Sequence, residues 1–205
     1  MHPHTQKLLG LAGLLVVLGT GLTFWGIRGP DFQVQFEREV LSRVPPAQLQ
    51  KAVANLINWP DWHFNTLSVL ATDITGLAYS PKEQVLMKGA LLEFSMEPPK
   101  KEWKRFVLKA GVIEYAPGRI LTVRFVEETK GRIEKLFSNL QWTIEFLPPP
   151  SGEGVLIRGR ATALTQSARG RFFARLAPRI LMNQIFYPDL EKLGKLEFPK
   201  DTVPQ

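Results

Sequence analysis

The side chains that could do acid–base or ligand chemistry are few. Only three histidines occur, and His2 and His4 precede a long apolar segment, so His63 is the one histidine of the folded part. Asp61 stands two residues before it, where a carboxylate could polarise the imidazole if the turn folds back. Arg38 interrupts the apolar parity of an otherwise alternating strand. It is either a bulge residue or a charge directed into a cavity. These three, Arg38, Asp61 and His63, are the candidate polar groups, although a lone histidine beside a tryptophan turn more often serves structure than catalysis. No catalytic residue is nominated. No G-x-S-x-G, HExxH, phosphate-loop or dinucleotide fingerprint is present, and the scattered carboxylates form no acid–base pair. No metal set is visible, because ligation needs a second histidine or a carboxylate cluster. With no cysteine, thiolate sites, a Cys nucleophile and a disulfide scaffold are excluded. No cofactor is expected.

Bulk composition bounds what can position those residues. Of 205 residues, 44% are hydrophobic and 22% charged, which suits one globular domain with a sizeable core. The net charge of +7 fits an anionic lipid surface or an ordinary solvated basic surface. No run of Lys and Arg exceeds two residues and no nucleic-acid-binding signature appears, so no nucleic-acid partner is expected.

Leu8 to Ile27 carries no charge and is bracketed by Lys7 and Arg28. At ~1.5 Å per residue it spans ~30 Å, the hydrocarbon thickness of a bilayer. Residues 1–28 therefore read as a single-pass membrane anchor, with Trp25 near one interface. The rival is a cleaved signal peptide ending near Gly19 and Gly21, which would leave a secreted or periplasmic domain after removal of residues 1–21. The basic flanks do not fix the orientation; an exported domain is expected, as for a signal anchor.

Residues 29–198 form the domain, and 199–205 a frayed tail. In Asp31–Val44, Phe32, Val34, Phe36, Val40 and Val44 share one parity, which predicts a half-buried strand. Pro46 opens a helix over Ala47–Ile57. Trp59-Pro60-Asp61-Trp62 is expected to stop it, because Pro60 disfavours helix at Trp59, and at least one tryptophan should be core. Further strands are predicted at Leu67–Tyr79, Gln84–Met96, Glu102–Tyr115, Arg119–Glu128, Leu136–Leu147 and Gly154–Thr165, separated by Pro/Gly turns. Seven strands at hairpin spacing, with helices only near the ends, predict an α+β fold with an antiparallel sheet.

The last segment, Ala168–Leu196, is predicted to be a long helix covering that sheet. Phe172, Phe173, Leu176, Ile180, Tyr187 and Leu190 make its apolar stripe. Arg171, Arg175 and Arg179 make a basic ridge that could meet a membrane surface. Pro178 and Pro188 should kink it, or Pro188 divides it into two shorter helices.

A strand, Val44-Pro45-Pro46-Ala47, a short helix, Trp59-Pro60-Asp61-Trp62, and a closing helix with Asp189-Leu190-Glu191-Lys192-Leu193 resemble the START-like superfamily, also called SRPBCC. Its members include polyketide cyclase/dehydrase-like proteins and pollen-allergen-like lipid carriers. The resemblance covers about residues 32–196. It implies a helix-grip fold: a curved seven-stranded antiparallel sheet around a long C-terminal helix, with a cavity for a lipid or other hydrophobic small molecule. Bulky residues on apolar parities are the candidate cavity wall: Phe36, Trp62, Met87, Phe125, Trp142, Phe173, Leu176, Ile180 and Tyr187. Three readings follow: a membrane-tethered module for a hydrophobic ligand, a cyclase- or aromatase-type enzyme acting through Arg38, Asp61 and His63, or a non-catalytic scaffold with a collapsed cavity.

Overall fold

The computed structural model describes residues 20–21, 28–63, 65–72, 85–97, 105–129, 133–150, 152–176 and 187–196. Seven strands form one antiparallel sheet: β1 (Gln33–Ser42), β2 (Thr66–Thr72), β3 (Leu91–Met96), β4 (Phe106–Ala116), β5 (Ile120–Glu128), β6 (Phe137–Leu147) and β7 (Val155–Thr165). Their order is β1-β7-β6-β5-β4-β3-β2, so β1 and β2, consecutive in the chain, lie at opposite edges. Register irregularities at Thr66/Ser68, Lys109/Ala110, Val112/Glu114 and Ser138/Gln141 bend the strands. The sheet is therefore curved, with one concave apolar face.

The outer face of β1 and β7 is polar. Arg158 lies 2.7 Å from Glu39, and Arg160 lies 3.0 Å from Glu37. This is the alternation of a sheet with one face in water. The β1–β7 register runs unbroken from Gln33↔Leu164 to Ser42↔Val155. Arg38 is thus no bulge residue. It shares the inward parity of Val34 and Val40.

Between the edge strands come helix α1 (Pro46–Ala54), a 3-10 turn (Leu56–Asn58) and the single turn α2 (Trp59–Trp62). Pro46 occupies the first turn of α1, and Leu49, Ala52 and Val53 are its buried face. The helix ends earlier than the proline argument predicts. Asn55 turns extended, its side chain accepts from the Ile57 amide at 3.1 Å, and its backbone pairs with Val85. The expected stop at Trp59-Pro60 is corrected: Trp59 is itself helical (φ −63°, ψ −36°), with Pro60 in the first turn of α2, where no donor is needed. Trp59 and Trp62 are both fully buried.

The expected strand from Gln84 begins only at Leu91. Gly89, at φ +87°, makes a turn whose amide reaches the Val112 carbonyl at 2.8 Å. The C-terminal segment is described as α3 (Ala168–Leu176) and α4 (Tyr187–Gly194), with Pro188 in the first turn of α4. Residues 177–186, which include Pro178, Arg179 and Ile180, lie outside the described residues, as do 199–205. So does the expected anchor, apart from Thr20 and Gly21. Among the described residues no helix is long and apolar enough to cross a membrane.

The core fills the space between the concave face, α1, α2 and α4. Leu49, Leu56, Leu92, Phe94, Leu121, Ile144, Ile157, Leu190 and Leu193 are sealed in it. α4 sits so close to β7 that a Cβ on Gly159 would collide with the Leu190 side chain, and a Cβ on Gly194 would lie 2.9 Å from Val40. Ser42 donates its hydroxyl to the Gly194 carbonyl at 3.0 Å, fastening the end of α4 to the end of β1.

Candidate functional site

His63 follows α2 and enters a box of aromatic rings. Its ring stacks on Phe94 (centroids 5.0 Å) and Trp59 (5.8 Å) and meets Trp142 edge-on at 5.6 Å. Trp59 is fixed in turn by donating to the Val53 carbonyl at 2.9 Å. His63 Nδ1 lies 2.6 Å from Thr66 Oγ1, and Nε2 lies 3.8 Å from Asp189 Oδ2 on α4. Burial, aided by the positive charge of Lys192, lowers the His63 pKa to about 3. At neutral pH the ring is therefore uncharged and forms no ion pair with Asp189. The favourable tautomer carries its proton on Nε2, towards Asp189, with Nδ1 accepting from the Thr66 hydroxyl. Sulfur is a weak acceptor, so the 3.5 Å contact from Thr66 Oγ1 to Met96 Sδ competes poorly.

A carboxylate, an imidazole and a hydroxyl in line have the composition of a general-base relay. Here both ring faces are covered and Thr66 and Asp189 are buried. The line works as a brace from the α2–β2 turn to α4. Sequence reasoning missed Thr66 and Asp189. The available signal was an acid, Asp189, directly beside Leu190 on the apolar stripe of the last helix.

The other two polar candidates lie elsewhere. Arg38 pairs with Glu191 of α4, its guanidinium 4.6 Å from the Tyr187 ring centroid. Asp61 is exposed on an open groove of about 490 Å³ shared with Pro188, Glu191, Lys192, Lys195 and Leu196. Arg38, Asp61 and His63 therefore do not converge on one reacting point. Among the described residues no three His, Asp or Glu side chains gather as metal ligands.

The predicted wall residues divide. Phe36, Phe125 and Tyr187 are half-buried, and Trp62 and Trp142 are buried 6.1 Å apart in the core. Met87, in the turn before β3, is 43% exposed, and Phe173, on α3, is 38% exposed; neither belongs to the concave face. Ile180 and the Leu176 side chain lie outside the described residues. Leu108, Tyr115 and Leu140 are half-buried apolar neighbours of the core that sequence reasoning did not select. Irregularities in β4 and β6 shift their parity or obscure it. Burial pushes the Tyr115 phenol up, so it stays neutral and able to donate. The Trp62 indole N–H is buried and has no hydrogen-bond partner among the described residues.

The basic ridge is not free. Arg171 pairs with Asp31 at 2.8 Å. Arg175 donates to the Arg28 carbonyl and lies 4.8 Å from the Phe32 ring centroid. Both arginines clamp residues 28–32 against α3, so their guanidiniums are engaged within the domain. Arg179 lies outside the described residues.

No family model matches the chain, and no curated protein sequence matches it. Solved structures do resemble it. The di-domain aromatase/cyclase of the steffimycin biosynthetic pathway superposes with a TM-score of 0.57 at 12% identity, over 79% of this chain and 49% of that one. The chain thus spans about half the length of that protein. Truncated norcoclaurine synthase from Thalictrum flavum gives 0.55 at 13% identity, over 84% and 99%. A major latex-like protein from Panax ginseng gives 0.57 at 6% identity, over 82% and 99%. These are proteins of the helix-grip, START-like class, and the chain has their fold. At such identities the likeness establishes the architecture, as the strand order and closing helix had already implied.

Proposed function

We propose that this chain is a membrane-tethered helix-grip module that binds a lipid or other hydrophobic small molecule against the concave face of its sheet. The observation that carries the reading is the Trp62 indole N–H, buried with no partner among the described residues. A buried donor without a partner costs about 1–3 kcal/mol, which a ligand oxygen would recover. Half-buried Phe36, Leu108, Phe125, Leu140 and Tyr187 supply apolar surface for the rest of such a molecule. The ligand class is therefore apolar with at least one carbonyl, ether or hydroxyl oxygen.

Two of the structural neighbours are named for cyclase or synthase reactions. No observation on Arg38, Asp61 or His63 favours that activity here, because the three sit in separate surroundings. The tether is the reading given to residues 8–27.

Native mass spectrometry of the full chain, released from detergent micelles in the gas phase and followed by organic extraction, tests the binding. A stoichiometric apolar companion supports it, and Trp62→Phe should lower its occupancy. A clean apo mass after incubation with a total lipid extract would overturn it in favour of a filled scaffold. Alkaline extraction of membranes tests the tether: a spanning chain stays in the pellet.

A further inference from the structure

The chain emerges from its apolar segment at one defined place on the domain. Leu8–Ile27 ends one residue before Arg28. The Arg28 carbonyl is held by Arg175, and Asp31 by Arg171 at 2.8 Å. No free linker separates the apolar segment from this clamp. If residues 8–27 span a bilayer, the surface around α3 must lie at its interface.

That surface has the chemistry for it. Phe173 of α3 and Leu164 at the end of β7 are each 38% exposed. Phe172 packs edge-on against Phe173 at 5.8 Å. Arg28, Lys135 and Arg169 are exposed around them. The turn holding Lys135 lies directly against α3, since Gly170 admits no Cβ beside the Leu136 carbonyl. The carboxylates at this end are engaged: Glu134 accepts from the Glu128 amide at 2.7 Å and Glu128 from the Ile133 amide at 3.3 Å, while the exposed Asp31 and Glu127 are paired with Arg171 and Lys109. Cations and an aromatic face outwards, while the acids are paired with basic side chains or serve the backbone. Such a face suits an anionic bilayer surface.

We propose that the end of the domain formed by α3, the start of β1 and the 133–136 turn lies against an anionic lipid bilayer, with Phe173 in the headgroup layer. The inference rests on the tethered reading above and adds the orientation of the domain. The β6–β7 turn, which holds Glu153, is then the pole farthest from the lipid, because ten-residue β1 at ~3.3 Å per residue sets it ~30 Å away.

The absence of cysteine allows single-site labelling of the full chain. Variants Val16→Cys, Phe173→Cys and Glu153→Cys, each carrying a polarity-sensitive dye, would be reconstituted in phosphatidylcholine/phosphatidylglycerol vesicles with and without acyl-brominated lipid. The expected result is a blue shift and bromolipid quenching at 16 and 173, and neither at 153. Quenching at 16 with 173 behaving like 153 overturns the orientation and leaves the tether standing. No quenching at 16 overturns both. Shielding of 173 from aqueous iodide without bromolipid quenching would mark a protein neighbour and also overturns the proposal. Adding Arg171→Ala and Arg175→Ala to the Phe173→Cys chain should abolish quenching at 173 while position 16 stays quenched; unchanged quenching at 173 would show that the clamp does not orient the domain.

Discussion

The two described helices of the C-terminal segment are attached to the same sheet by different physics. α4 buries Leu190, Leu193 and Asp189, rests on Gly159 and Val40, and is tied through Ser42. α3 buries Ala174 and Gly170 and is otherwise held by two arginines on residues 28–32. Contacts of the first kind strengthen with buried apolar area and ignore salt. Those of the second kind are exposed to screening. α4 is therefore a part of the core, and α3 a bracket for the incoming chain.

Four measurements break or sharpen that contrast. The largest effect is expected from Leu190→Ala, which empties a sealed site under α4 and should cost about 2–5 kcal/mol in urea unfolding. Gly159→Ala should cost about 1–3 kcal/mol, because the new methyl displaces Leu190 from an already filled site. A neutral result for either would mean that α4 is not set by this contact.

The third concerns His63. Its pKa falls from 6.5 in the unfolded chain to about 3 in the fold, so the unfolded state binds the extra proton between those values. Stability is present in full above 6.5. It is lost as pH falls towards 3, by up to about 1.4 kcal/mol per pH unit from this group. Unfolding midpoints of wild type and His63→Gln measured across that window should diverge, with the variant's profile flatter by up to one proton. Parallel profiles would remove His63 from the account. Smallest is Arg171→Ala or Arg175→Ala, at about 0–1 kcal/mol each and fading in high salt. If either matched Leu190→Ala, the distinction between core and bracket would collapse.

The seven strands were legible because their apolar residues alternate and their turns are marked by Pro and Gly. The helix-grip arrangement was implied by the family resemblance carried by Val44-Pro45-Pro46-Ala47, Trp59-Pro60-Asp61-Trp62 and the closing Asp189–Leu193. Parity could place Arg38 but not decide its direction; that needed the unbroken β1–β7 register and the partner Glu191, 153 positions away. The candidate site was read in part. Apolar patterning marked Phe36, Trp62 and Trp142, yet it also selected Met87, which belongs to a turn, and Phe173, which points off the sheet. Hydropathy cannot separate a residue facing a core from one facing a partner. The polar line Thr66–His63–Asp189 was hidden because its far member, Asp189, stands 126 positions after His63, and local spacing carries no trace of such a contact.

The pairing of β1 with β7 has a consequence for biogenesis. Phe32 and Thr165, joined by a 2.9 Å hydrogen bond, are 133 residues apart. Within this sheet the first strand made, β1, pairs only with the last, β7, so the sheet closes only once β7 has been made. Until then β1 presents an unpaired apolar edge, open to association with other chains. Truncation before Val155 would therefore leave more than a missing strand. It would leave an adhesive one, and aggregation rather than partial folding is the fate to expect of such a fragment.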